Sequence, residues 1–168
     1  DSSWEIPKNT FKGEWEKLEV TVDSGAAETV IPTSKCPEIK AYKTEKTGKM
    51  YRAANGGEIE NMGEKLIQGI TDEELPVKMR MQSADVSETL ASVSKMVKQN
   101  NRVVFDEDGS FVVNKKTGKK TALKEKNGVY VFDLWVRKHS TQSVNAVETS
   151  NSTFAKYGDF LRRVEELI

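Results

Sequence analysis

One histidine and one cysteine in 168 residues leave little from which to build a metal centre or a thiol enzyme. A structural zinc site takes four Cys or His ligands at recognisable spacing, and Cys36 with His139 cannot supply them. Cys36 is followed by Pro37 and has no neighbouring base to activate it as a nucleophile. With no second cysteine, an intrachain disulfide is impossible, which fits a reducing intracellular compartment. An excess of charge of one sign is also missing. The chain carries 26 basic and 26 acidic side chains and a formal net charge of zero, whereas a dedicated nucleic-acid binder shows a basic surplus. No nucleic-acid partner is therefore expected. Lys115, Lys116, Lys119, Lys120, Lys124 and Lys126 fall near expected hairpin turns and read as solvated edges that discourage strand pairing. No apolar run approaches the roughly 18 residues of a membrane span. The opening residues Asp1-Ser2-Ser3-Trp4 lack the basic-then-apolar order of a secretory signal and read as a mature or trimmed start. No cofactor is expected.

What is present is β-pattern. Leu18, Val20 and Val22 alternate with polar neighbours over residues 15–23, the period of a half-buried strand. Residues 28–31 read as a second short strand closed by Pro32. Asn55-Gly56 marks a hairpin turn, because both residues tolerate positive φ, with Tyr51 and Ile59 on its two arms. Gly63 interrupts the returning strand, Leu66, Ile67 and Ile70 continue it, and Val77, Met79 and Met81 alternate on another. Asp85 with Glu88 three residues on resembles a capping box. Leu90, Val93, Met96 and Val97 then repeat at helical spacing, so a short helix is expected, ending near Asn100-Asn101. Turn signals at Asp108-Gly109, Thr117-Gly118 and Asn127-Gly128 divide the stretch 103–136 into an antiparallel meander.

The ends read differently. Residues 1–14 form a polar arm whose Trp4, Ile6 and Phe11 suit docking. Residues 15–136 form the body, and 137–151 a Ser/Thr/Asn-rich linker. Residues 152–168 carry Phe154, Tyr157, Leu161, Val164 and Ile168 at helical spacing, which predicts a C-terminal amphipathic helix. Asp106-Glu107-Asp108-Gly109-Ser110 reads as a plain turn, since its glycine is misplaced for a calcium loop.

Three segments carry a resemblance. The first is Val22-Asp23-Ser24-Gly25-Ala26, followed by Thr29-Val30-Ile31. The second is Arg52-Ala53-Ala54-Asn55-Gly56, with Ile59 and Gly63. The third runs from Leu90-Ala91-Ser92-Val93-Ser94-Lys95-Met96 through Val103-Val104-Phe105-Asp106 and Lys116-Thr117-Gly118-Lys119 to Gly128-Val129-Tyr130-Val131-Phe132-Asp133-Leu134. In order and spacing they resemble the retropepsin-like aspartic proteases of copia-type retrotransposon polyproteins, over roughly residues 15–136. The resemblance implies a mainly β fold: a closed barrel of retropepsin type with one short internal helix and an appended β-meander. It has no counterpart for the C-terminal helix. Two departures stand out. Ala27 occupies the place where most retropepsins carry an acidic residue that anchors substrate backbone, and Glu28 comes one position later. Leu90-Ala91-Ser92 replaces the usual apolar-apolar-Gly support of the active-site loop.

By this resemblance Asp23, Ser24 and Gly25 are the catalytic residues. Ala26, Ala27, Glu28, Ala54, Asn55, Gly56 and Gly57 are the substrate-binding ones. Hydrolysis in this class uses two carboxylates sharing one proton. The motif occurs once, so the second carboxylate must come from a second copy, and a homodimer is expected if the chain is active. Two functions follow. One is an aspartic endopeptidase acting on a peptide or polyprotein. The other is a non-catalytic retropepsin-like module recruited into a larger assembly, holding a protein partner through the N-terminal arm and the C-terminal helix.

Overall fold

The computed structural model describes residues 14–53 and 55–138 and the backbone of residues 165–166. The chain is mainly β, as the alternating pattern predicts. Its strands are β1 (Trp15–Asp23), β2 (Val30–Pro32), β3 (Met50–Arg52), β4 (Glu58–Glu60), β5 (Glu64–Thr71), β6 (Pro76–Ala84), β7 (Thr89–Ser92), β8 (Asn101–Val104), β9 (Ser110–Asn114), β10 (Lys120–Lys126), β11 (Val129–Arg137) and β12 (Glu165–Glu166). Among the described residues one α-helix, α1 (Val93–Lys98), is present, between β7 and β8.

Six strands close a barrel in the order β1-β7-β2-β6-β5-β11, and β11 returns to β1. Closure leaves these strands few free backbone edges. The closing ladder is antiparallel and runs from Trp15↔Arg137 to Val22↔Tyr130. On its other side β11 is shared: its start pairs with β10, Lys126↔Val129 among the partners, and its end with β5 at Leu134↔Thr71 through Val136↔Gly69. From β10 the meander continues through β9 to β8. Its turns follow the expected glycines. Gly109, Gly118 and the pair Asn127-Gly128 all have positive φ, the last pair as a two-residue hairpin turn requires. Of the lysines placed near turns, Lys120, Lys124 and Lys126 instead lie on β10 itself.

Alternation fills the barrel. Leu18, Val20, Ile31, Ile67, Met79, Met81 and Leu134 are fully buried, and Met96 brings α1 into the same core. Burying side chains of this size stabilises by about 2 kcal/mol each relative to exposure.

The helix begins later than the Asp85/Glu88 pattern predicts. Ser92 is its N-cap, and its Oγ accepts a hydrogen bond from the Lys95 N–H. Residues 85–88 are a bend, and Thr89–Ser92 is a strand because it has a strand on each side. It pairs in parallel with β1 from Val20↔Thr89 to Asp23↔Ser92 and antiparallel with β2 at Val30↔Leu90. These ladders outweigh a local capping preference worth only about 1 kcal/mol.

The N-terminal arm, apart from Glu14, and the linker beyond Lys138 lie outside the described residues. So does the expected helix over 152–168, except for Glu165–Glu166, which are extended and pair in parallel with Val77 and Lys78 of β6.

Candidate functional site: the Asp23 cleft

Strands β1 and β2 are consecutive in sequence but do not pair with each other. The chain leaves β1 at Asp23, arches over the end of β7 and returns as β2 on the far side of β7. This arch holds every residue predicted for the first half of the site. Gly25 N–H donates to Asp23 Oδ1 at 2.7 Å, the bond of an Asx turn, so the carboxylate is fixed on its own loop. A Cβ added to Gly25 would stand 3.3 Å from that oxygen. Thr29, buried at the end of the arch, accepts from the Ser92 N–H through its Oγ1 at 3.0 Å. Thr29 O also accepts from Gln82 N–H at 2.8 Å. The loop is thereby tied to both β7 and β6.

Opposite stands the β3–β4 hairpin, with register Met50↔Glu60, Tyr51↔Ile59 and Arg52↔Glu58. Gly56 of the predicted turn pair adopts positive φ, at +87°. Asn55 contributes differently: its Oδ1 accepts from the Gly57 N–H at 2.9 Å. The ends of the turn are closed by Gly56 N–H on Ala53 O and Ala53 N–H on Gly57 O.

Loop and hairpin wall one open cleft of about 600 Å³. Asp23, Gly25, Ala26, Ala27 and Glu28 line it, while Ser24 is exposed and outside the wall. Asn55, Gly56 and Gly57 also stand exposed at the hairpin tip rather than on the wall. Ala54 lies outside the described residues. The hairpin's share of the wall is Tyr51, Arg52, Ala53 and Ile59. The remainder is Val30, Ala84, Val86, Ser87, Glu88 and Leu90. The lining is largely apolar, with Asp23, Glu28, Glu88 and Arg52 as its charges. Such a surface suits an extended peptide with apolar side chains. Val86 through Glu88 were hidden in the sequence by their resemblance to a helix start.

Glu28 is engaged. Its carboxylate is paired with Lys46 Nζ at 3.2 Å and Lys95 Nζ at 3.6 Å. Burial alone would lower the Lys46 ammonium, but the hydrogen bond and charge of Glu28 raise it overall.

Beneath the hairpin lies a buried polar cluster. Glu64 accepts from Tyr42 Oη at 2.5 Å and from Gln82 Nε2 at 2.9 Å, and Arg80 Nη1 stands 3.6 Å away. Burial would raise the Glu64 carboxyl, but the two hydrogen bonds and the Arg80 charge outweigh it and hold the group below its usual range. Asn61 continues the cluster to the hairpin through Tyr51. Lys65, 5% exposed, donates to the carbonyls of Lys35 and Cys36. Cys36 is buried, and its thiol is pushed up to about 12, first by that burial and then by the Glu16 carboxylate; it has no place in the cleft. A second hollow of about 330 Å³ near Glu19 and Asp72 holds charges already paired, Lys126 with Glu19 and Lys124 with Asp72.

Among the described residues no group of three or more His, Cys, Asp or Glu is placed to hold a metal ion. No described helix is long and apolar enough to cross a membrane. No family model, no curated protein and no solved structure matches the chain.

Proposed function

We propose that this chain is a retropepsin-like aspartic endopeptidase, similar to the proteases of copia-type retrotransposon polyproteins, that acts as a homodimer on extended peptide. The observation that carries the reading is the arch. Strand β7 inserts between β1 and β2, parallel to β1 and antiparallel to β2, so the Asp-Ser-Gly turn stands at the floor of a cleft whose opposite wall is a hairpin. Two copies would bring two Asp23 carboxylates together. Two carboxylates within hydrogen-bond reach do not both ionise, so the pair shares one proton. The ionised member takes a proton from water as the oxygen attacks the scissile carbonyl, and the protonated member donates to the carbonyl oxygen. Gly25 allows the tight turn, and Ala26 leaves room for substrate backbone. Ser24, exposed beside Asp23, is available to brace the second copy, and the hairpin covers the bound peptide.

Asp23→Asn tests this. It is expected to abolish cleavage of an unstructured protein substrate with an unchanged melting temperature. Mixing it with wild-type chain should depress wild-type activity, because mixed dimers hold one carboxylate too few. Cleavage by Asp23→Asn near the wild-type rate would remove Asp23 from the mechanism.

One observation favours the second reading, a non-catalytic module in a larger assembly. Ala27 offers no acidic anchor for substrate backbone, and Glu28 is held by Lys46 and Lys95. Failure of the wild-type chain to bind a statine-type transition-state analogue, together with no self-association, would move the balance to that reading.

A further inference from the structure

The β3–β4 hairpin shares no ladder with the barrel strands among the described residues. A two-stranded ribbon is marginally stable in water, and this one half-buries only Tyr51 and Ile59 of its six strand residues. Its placement over the cleft therefore needs a cause outside the ribbon. Part of it is backbone: Met62 N–H donates to Ser83 O and Ser83 N–H to Gly63 O, which fixes the hairpin root on β6. Gly63 makes the bend there with φ at +122°.

The rest converges on one side chain. Asn61 is fully buried. Its Nδ2 donates to Tyr51 Oη and to Gln82 Oε1, both at 2.8 Å, and its Oδ1 accepts from Gly63 N–H at 2.8 Å. Both donors and the acceptor of the amide are thus in use. Gln82 cannot turn its amide over without loss, because its Nε2 is committed to Glu64. Its backbone N–H in turn holds Thr29 O, at the end of the Asp23 arch. The run Thr29, Gln82, Asn61, Tyr51 therefore joins the two walls of the cleft through β6.

We infer that Asn61 is the positioning residue of this site, setting the hairpin and its Tyr51 ring against the Asp23 loop through the Gln82–Asn61–Tyr51 hydrogen bonds. As a tether of the hairpin the inference stands on geometry alone; as a contribution to peptide cleavage it rests on the function proposed above.

Hydrogen exchange on the full chain without peptide tests the tether. Tyr51→Phe removes one hydroxyl and keeps the ring, and Asn61→Ala removes all three side-chain bonds. In Tyr51→Phe the hairpin amides of Ala53, Gly56 and position 61 should exchange about five- to tenfold faster than in wild type, the effect of one neutral hydrogen bond, and in Asn61→Ala at least as much faster, while amides of β5 and β11 keep their rates. If Asn61→Ala does not fold, Tyr51→Phe decides. Hairpin rates equal to wild type, or an increase shared equally by β5 and β11, would overturn the tether. The second measurement is steady-state cleavage, where KM should rise several-fold in Tyr51→Phe with kcat within about twofold of wild type. Unchanged KM in a cleaving enzyme would overturn the positioning role. A wild-type chain that cleaves nothing would defeat the protease reading, and the exchange result would still decide the tether.

Discussion

Replacing Gly69 with alanine should damage the barrel far more than its chemistry suggests. Gly69 sits on β5 where the strand meets β11 on one side and β6 on the other, opposite Val136 and Val77. A Cβ there would lie 2.7 Å from Trp135 O, 2.8 Å from Leu134 Cγ and 3.0 Å from Leu134 Cδ1. The first contact is backbone and cannot turn away. Leu134 is fully buried, so its side chain has no free space to enter. The β5–β11 seam, three pairs long, must open by several tenths of an ångström. Overpacking of this kind costs about 2–3 kcal/mol, or a fall of roughly 10 °C in Tm for a domain of this size. Thermal melts by circular dichroism, with urea midpoints at constant m-value, measure it. Gly118→Ala is the comparison: Gly118 has φ at +75° and open space around it, so only the left-handed backbone penalty of about 1–2 kcal/mol applies. A Gly69→Ala protein melting within about 2 °C of wild type, or above Gly118→Ala, would refute the steric account.

Glu64 should contribute an acid limb to stability. Its carboxyl is held low in the fold, so the contribution is complete above the ordinary carboxylate value and is lost as pH falls through the folded one. Urea midpoints followed from about pH 7 to about pH 3 should show this loss, and Glu64→Gln should flatten it. The Cys36 thiol, pushed up to about 12 and buried, should react with a disulfide reagent at least about a hundredfold more slowly in the native chain than in urea; a rapid native reaction would contradict its burial. Met79→Ala, at a fully buried core position, should cost about 2–5 kcal/mol in chemical denaturation, and a loss under about 1 kcal/mol would mean that the core repacks freely.

Features fixed by a few neighbouring residues were legible in the sequence. The meander turns at Gly109, Gly118 and Asn127-Gly128 each need a positive φ that the residues on the spot supply. The Asp23 turn was legible for the same reason, since Gly25 N–H reaches Asp23 Oδ1 within the motif itself. Features set by distant strands were not. Thr89–Ser92 reads as part of a helix begun at Asp85 until β1 and β2 pair with it on both sides. The cleft wall at Val86, Ser87 and Glu88 has no signal of its own, because the topology carries that bend to the site. The hairpin tip drew notice through Asn55-Gly56, yet the residues facing the cleft are Tyr51, Arg52, Ala53 and Ile59. Asn61 sits in an unremarkable run, and its value appears only when Tyr51 and Gln82 meet around it.

The pairing of β1 with β11 joins the first and last strands of the barrel, and this sets a timetable for synthesis. On a ribosome β1 emerges well before its antiparallel partner, which starts only at Val129. At ordinary elongation rates the wait is on the order of ten seconds. The parallel partner β7 also comes late, so neither edge of β1 can be satisfied while the first half is being made. Contacts so distant in sequence place the domain among slow folders, in milliseconds to seconds after release. The Asp23 arch hangs from these two ladders and takes its shape only when β11 arrives. A nascent chain therefore exposes β1 as an unpaired strand with one apolar face, open to chaperones and to neighbouring chains, before it has any cleft to work with.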